Sequence, residues 1–187
     1  LVNTVLALCG LIVFLLLLPL IALIIRLDSP GSIFYSQTRL GQNGRPFKII
    51  KLRTMVKDAE AKTGAVFSVK GDMRGTRVGR IMRKTRIDEL PQVFNILRGD
   101  MNIIGPRPER PEHVTRLTEK IPFYRTRLVV RPGLTGWAQV KYTYGSTDED
   151  AQVKLEYDLY YIRHRSLLLD ANIMFRTIGK VLRMSGV

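Results

Sequence analysis

Cysteine, histidine and acidic residues are all scarce in this chain, and each scarcity removes a class of chemistry. Cys9 is the single cysteine and lies inside an apolar run, so there is no disulfide framework and no thiolate metal cage. His113 and His164 are the two histidines, too few for a His-rich metal centre and thin material for a Ser-His-Asp arrangement. Only 16 Asp and Glu face 30 Lys and Arg, which leaves a formal net charge of +14. An excess of that size implies an anionic partner: nucleic acid, acidic lipid headgroups or phosphorylated substrates. If the chain is an enzyme, carboxylates working with Lys and Arg carry the chemistry.

Charge is also missing locally. Leu1 to Ile25 holds no charged residue and is long enough to cross a bilayer as a helix. No basic start and no small-residue cleavage site precede Arg26, so it does not read as a cleavable signal. Pro19 removes one helical hydrogen bond and crowds the carbonyl of Leu15, which favours a kink whose freed carbonyl needs a partner in lipid. By residue type alone a spanning helix, straight or mildly kinked, is the first expectation. A re-entrant hairpin with both ends on one face satisfies the same hydropathy. The expected organisation is therefore a membrane-embedded helical segment over 1–27, kinked at Pro19, and one basic domain over 28–187. The start at Leu1 rather than Met reads as a fragment.

Beyond the breaker cluster Asp28-Ser29-Pro30-Gly31, two strand-like runs flank Gly41-Gln42-Asn43-Gly44 and predict a β-hairpin, Ser32–Leu40 with Pro46–Thr54. Met55 to Lys70 is polar and predicts a helix start followed by a loop. From Arg74 the period turns helical, with Val78, Ile81 and Met82 on one face and Arg74, Arg77, Arg80 and Arg83 on another. Further helices are expected at about Glu89–Leu97, His113–Val129 (interrupted by Pro122), Asp150–His164 and Leu169–Met184. The last has the make-up of a helix in a membrane interface, and a buried core helix fits it as well. Arg131 to Trp137 predicts a turn-rich loop. The fold class that results is α+β.

Asp88-Glu89-Leu90-Pro91 puts two acids at a predicted helix start, where the helix dipole favours ionised carboxylates and attracts phosphate. An ionised Asp can attack phosphorus. A neighbouring Glu can hold Mg²⁺, a hard cation that prefers oxygen. For a bare Asp-Glu-x-Pro, plain helix capping is the more common role. Arg83, Lys84 and Arg86 immediately before the acids tilt the reading towards a polyanionic substrate, because phosphoryl transfer needs compensating charge. Arg107, held between Pro106 and Pro108, is a pre-set guanidinium able to fork onto phosphate. Lys51 and Arg53 point to one side of the second strand and are phosphate-binding candidates; Arg131 and Trp137 flank a glycine loop able to approach a ligand.

Taken in order, Lys51-Leu52-Arg53-Thr54-Met55, Arg83 to Gln92, Gly99-Asp100-Met101, Gly105-Pro106-Arg107-Pro108, Arg131 to Val140 and Tyr157 to Tyr161 resemble the bacterial sugar transferase family, the monotopic polyprenyl-phosphate phosphoglycosyl transferases. The likeness covers nearly the whole chain; each motif is weak alone and the ordered set is specific. The resemblance implies transfer of a sugar 1-phosphate from a UDP-sugar to polyprenyl (undecaprenyl) phosphate, with release of UMP. That is the initiating step of exopolysaccharide, O-antigen or glycoconjugate synthesis. It implies Asp88 as nucleophile in a covalent phosphosugar intermediate and Glu89 as helper through Mg²⁺ or proton handling. Asp88 and Glu89 are then the metal candidates, and Lys51, Arg53, Arg107, Arg131 and Asp158 the substrate-site candidates.

The resemblance also favours the re-entrant hairpin and places the domain on the cytoplasmic face of the bacterial inner membrane, with interfacial amphipathic helices. Leu18-Pro19 departs from the Ser-Pro common at the family's kink, which leaves the freed backbone without its usual hydroxyl partner. The insertion from Tyr142 to Ala151 is similar to that of larger members with upstream regions. The expected partners are the UDP-sugar, polyprenyl phosphate and the membrane, not nucleic acid; homo-oligomerisation is left open. The rival readings are a membrane-anchored nucleic-acid-binding module and a scaffold held on acidic lipid.

Overall fold

The apolar run folds as one helix, α1 (Val2–Asp28), with Pro19 inside it. The computed structural model describes residues 2–59, 64, 72–142, 145 and 147–183, and in it the helical assignment of α1 continues through Pro19. Loss of one hydrogen bond at Pro19 is a local cost, and packing on both sides of it holds the helix in register. Ala7, Gly10, Leu11, Phe14, Leu18, Ile21 and Ile25 recur every three or four residues and line one stripe that faces the rest of the protein. Phe14 is fully buried, with edge-on rings Phe34 and Phe94 at 6.5 and 6.1 Å between centroids. The opposite face, which includes Leu16 and Leu20, is exposed.

Both ends of α1 are fastened to the domain. Near its start, Asn3 Nδ2 donates to Asn102 Oδ1 (3.2 Å), and the Ile103 amide donates to Asn3 Oδ1 (3.3 Å). At its end Arg53 donates to the carbonyls of Ser29 (2.7 Å), Ile25 (3.4 Å) and Pro30, closing acceptors that a helix C-terminus leaves open. A 27-residue helix is about 40 Å long, so the domain lies along α1 rather than beyond one end of it.

The predicted hairpin is present as β1 (Phe34–Leu40) and β2 (Pro46–Leu52), antiparallel, with Tyr35 opposite Lys51. The outer edge of β2 is covered by a side chain: Asn95, fully buried, accepts from the Ile50 amide (3.1 Å) and donates to Lys48 O (2.8 Å). The helix start expected at Met55 is absent; Met55 bridges Gly75 and a turn follows at 57–59, the rest of that stretch lying largely outside the described residues.

Thr76 caps α2 (Arg77–Thr85) by accepting from the Gly79 amide (3.0 Å). Its buried face centres on Gly79 and Met82, because any Cβ at Gly79 would collide with the Thr54 backbone. Ile81, expected on the buried face, is consequently exposed. Arg86 ends α2 in the left-handed region (φ 58°, ψ 17°), and the chain re-enters as a 3-10 segment, Ile87–Gln92, that runs into α3 (Val93–Arg98).

The remaining elements are β3 (Asn102–Ile104), α4 (Pro111–Lys120), a 3-10 segment Tyr124–Val129, β4 (Gly133–Thr135), α5 (Trp137–Lys141), α6 (Asp148–His164) and α7 (Leu167–Leu182). The interruption expected at Pro122 is present: α4 ends at Lys120 and the chain resumes as the 3-10 segment at Tyr124. β3 and β4 pair in parallel, Asn102 with Gly133 and Ile104 with Thr135. The approach is close enough that a Cβ at Gly105 would lie 2.6 Å from Arg131 O. In α7, Ile173 is buried while Leu168, Phe175, Ile178 and Leu182 form an exposed apolar row beside Arg176, Lys180 and Arg183.

Candidate active site

The left-handed turn at Arg86 aims the Ile87–Gln92 segment under β2 and buries both acids of the pair. Glu89 is the ionic hub. Its Oε1 accepts from Lys51 Nζ and from Arg107 Nη2, each at 2.7 Å, and Arg86 Nη1 stands 3.4 Å from Oε2. Asp88 is as buried as Glu89 (6% against 5% exposed), yet its carboxylate takes part in no hydrogen bond among the described residues.

The two carboxyls consequently differ in acidity. Burial raises Asp88, with the neighbouring Glu89 charge adding to it and Lys51 and Arg107 opposing, so that it stands at about 6. Burial would raise Glu89 too, but Arg107, Lys51 and Arg86 outweigh it and hold Glu89 well below the usual carboxylate range. Lys51 is lowered by its own burial, in part offset by Glu89. Arg107 is raised, chiefly by Glu89, and stays charged with 39% of its side chain exposed. Three cations thus surround two carboxylates, a cluster with an unmet demand for negative charge.

The donor set can be weighed for a divalent cation. Among the described residues no three His, Cys, Asp or Glu side chains gather as a metal cage. Mg²⁺ is commonly held by one or two carboxylates together with substrate phosphates and water. Asp88 with its uncommitted oxygens, and Glu89 through Oε2, fit that role for a cation that arrives with a phosphate ligand.

Of the remaining candidates, two are buried in structural pairs. Arg53 closes the C-terminus of α1, two residues beyond Lys51. Asp158 (1% exposed), on α6, accepts at Oδ2 from Arg127 Nη2 (2.7 Å) and Nε (3.0 Å). Arg131 is exposed beside Gly99 and is not among the groups paired with the acidic dyad. Trp137 is half-buried, stacked with Tyr160 at 6.1 Å, and Lys141 Nζ stands 4.7 Å from its ring centroid.

Arg127 and Asn95 were missing from the sequence-based set. Neither carries a local signal, since each acts on a backbone distant in sequence. Arg86 was visible only as one of several basic residues before the acids.

A family model described as bacterial sugar transferase matches residues 1–184. Over 161 residues the chain is 50% identical to a UDP-N-acetylgalactosamine-undecaprenyl-phosphate N-acetylgalactosaminephosphotransferase of Aeromonas hydrophila, covering 86% of this chain and 38% of that protein. It is 46% identical over 168 residues to a UDP-glucose:undecaprenyl-phosphate glucose-1-phosphate transferase of Caulobacter vibrioides, covering 89% of this chain and 62% of the relative. It is also 40% identical over 167 residues to the exopolysaccharide production protein PSS of Rhizobium leguminosarum bv. phaseoli, covering 84% and 82%. The chain therefore spans from over a third to about four fifths of these relatives' lengths.

Proposed function

Because the chain belongs to the bacterial sugar transferase family, we propose that it is a phosphoglycosyl transferase that moves a sugar 1-phosphate from a UDP-sugar to undecaprenyl phosphate. The observation that carries this reading is the division between the two acids: Glu89 is committed to three cations, while Asp88 keeps its oxygens free among them.

In the first step an Asp88 oxygen attacks the sugar-bearing phosphorus of the donor. The bond from that phosphorus to the bridging oxygen breaks, and UMP leaves with the electron pair. In the second step an oxygen of undecaprenyl phosphate attacks the same phosphorus and expels the Asp88 carboxylate, giving the lipid diphosphosugar. Lys51, Arg86 and Arg107 supply the positive field in which charge spreads over the phosphoryl oxygens. Glu89 keeps Lys51 and Arg107 converged before the donor arrives. Mg²⁺, held by Asp88 and Glu89 together with the diphosphate, would neutralise charge on the leaving group. Asp158 contributes through Arg127, and Arg53 through the seating of α1; Arg131 remains the exposed candidate for a phosphate contact.

The packing of α1 supports monotopic association. If a helix bound to the domain from Asn3 to Asp28 stood across a hydrocarbon layer of about 30 Å, it would drag the charged cluster into lipid. Lying along one leaflet, it presents Leu16, Leu20 and Leu27 to lipid while the exposed row of α7 meets the interface. The cytoplasmic face of the inner membrane is the side that gives access to nucleotide sugars.

The test is UMP release from UDP-sugars in the presence of undecaprenyl phosphate and Mg²⁺. Loss of release and of a labelled phosphosugar-protein adduct in Asp88→Asn is the expected result. Full activity in that variant would overturn the mechanism.

A further inference from the structure

Four consecutive carbonyls run through the Pro-Arg-Pro loop, and each is taken by a donor from outside the loop. Pro106 O accepts from the Gly133 amide (2.9 Å), Arg107 O from Arg127 Nη2 (3.0 Å), Pro108 O from Arg39 Nη1 (3.2 Å) and Glu109 O from the Leu40 amide (2.9 Å). Pro106 and Pro108 bring no amide hydrogens, so the stretch cannot close these carbonyls in a helix or turn of its own. Backbone amides at its two ends would suffice for an ordinary crossing. The middle two positions are instead held by guanidinium groups from β1 and from the Tyr124–Val129 segment.

Those guanidiniums are themselves fixed. Arg127 (6% exposed) directs two N–H groups to Asp158 Oδ2 and donates from Nη1 to Tyr124 Oη (3.1 Å). Burial would discharge Arg127, but Asp158, Tyr124 and Glu109 keep its pKa above the usual arginine value. Arg39 Nη2 is anchored on Gln37 Oε1 (2.6 Å). The Glu109 carboxylate lies between the two, 3.7 Å from Arg39 Nη1 and 3.8 Å from Arg127 Nη1. A guanidinium as exposed as that of Arg107 would otherwise explore many rotamers, and a fixed main chain lowers the entropy lost on ordering it.

We propose that Arg127 and Arg39 are positioning residues for Arg107: they hold the main chain from which Arg107 reaches Glu89, and Asp158 serves the reaction through Arg127. The inference rests on the transferase reading of Asp88, Glu89 and Arg107.

A buried pair that merely stabilised the fold would give a different signature, and a double-variant cycle on the full chain in membranes or detergent separates the two. UMP release is measured for Arg107→Ala, Arg127→Lys and the combination, with a thermal melt for each. Positioning predicts that Arg127→Lys lowers kcat about 10-fold with donor KM changed less than about twofold, and that the same change costs less than about twofold in the Arg107→Ala background. Equal losses in both backgrounds overturn the proposal. If Arg127→Lys does not fold, Arg39→Lys carries the same cycle from the other anchor, with the same deciding result. Full activity in Arg107→Ala would overturn the site reading itself, an outcome distinct from additivity.

Discussion

Lys51 and Arg107, 56 residues apart, donate to the same oxygen of Glu89 at the same distance, 2.7 Å. One comes from a strand and the other from a proline-clamped loop, so the shared oxygen ties two unrelated pieces of chain into one cationic wall. Asp88, one residue away, has no such partner and keeps a raised pKa. In the proposed mechanism the chemistry is therefore divided between neighbours: Glu89 organises charge, and Asp88 is left free to react.

Glu89→Gln should separate these roles. Removing the charge leaves Lys51 and Arg107 facing each other without Glu89 as counter-ion, and breaking a buried pair of this kind costs about 3–5 kcal/mol, less here because Arg107 is partly exposed. A thermal melt should fall by several degrees. Adduct formation at Asp88 should slow by about 10–100-fold without vanishing, whereas Asp88→Asn abolishes it.

The pH dependence follows from Asp88. In the proposed mechanism Asp88 must be ionised to attack, so kcat/KM should fall as pH drops through about 6. For stability the sign is reversed. Its folded value lies above the ordinary 3.8, so the folded state binds the proton more tightly and loses stability as pH rises from about 4 to about 6. The full penalty, about 3 kcal/mol, is present above that window. Asp88→Asn should therefore melt higher than the parent at pH 7.5, with the difference shrinking towards pH 4. No widening between pH 4 and 7 would refute the raised value.

Arg53→Ala should act on structure before substrate. The carbonyls of Ser29 and Pro30 lose their donor and Ile25 O keeps only the Ser29 amide, at a cost of about 2–4 kcal/mol. The melt should drop while KM for the UDP-sugar stays within about threefold. A large rise in KM with an unchanged melt would restore Arg53 as a substrate contact.

Arg86 occupies a left-handed conformation that costs a non-glycine residue about 1–2 kcal/mol. Arg86→Gly relieves that strain and removes the 3.4 Å contact with Glu89. Equal or higher thermal stability with reduced turnover is expected. Arg86→Val, unable to adopt the turn readily, should instead destabilise the fold.

The two faces of α1 should respond oppositely. Phe14→Ala opens a cavity against Phe34, Phe94 and Leu52, at about 3–5 kcal/mol. Leu16, 76% exposed, should tolerate Ala with no change in the melt, while Leu16→Lys should weaken recovery in membranes. Calorimetry in detergent and membrane flotation measure the two effects separately.

Much of this was legible in the chain itself. The hairpin was bounded by its turn residues, α6 and α7 by period, and Asp88, Glu89, Lys51 and Arg107 by charge set among glycine and proline. What escaped was long-range. The parallel pairing of three-residue β3 with β4 has no sequence signature, because so short a strand takes its stability from its partner. The break at Pro122 was legible too, but not that the stretch beyond it would be a 3-10 segment. Arg53 and Lys51 read alike at a spacing of two, but the strand ends between them and their side chains go to different places.

The acidic pair shows where the boundary falls. Sequence by itself determined that two adjacent carboxylates lie among arginines near an apolar helix, since composition and spacing are local quantities. Which carboxylate would be neutralised and which left free was decided only by tertiary structure. Lys51 and Arg107 arrive from 38 residues upstream of Glu89 and 18 downstream of it, and a charge–charge interaction depends on distance in space, not in sequence. For the same reason the apolar run was readable as membrane-seeking, while its placement along the domain had to come from the packing of Phe14 and the hydrogen bonds at both its ends.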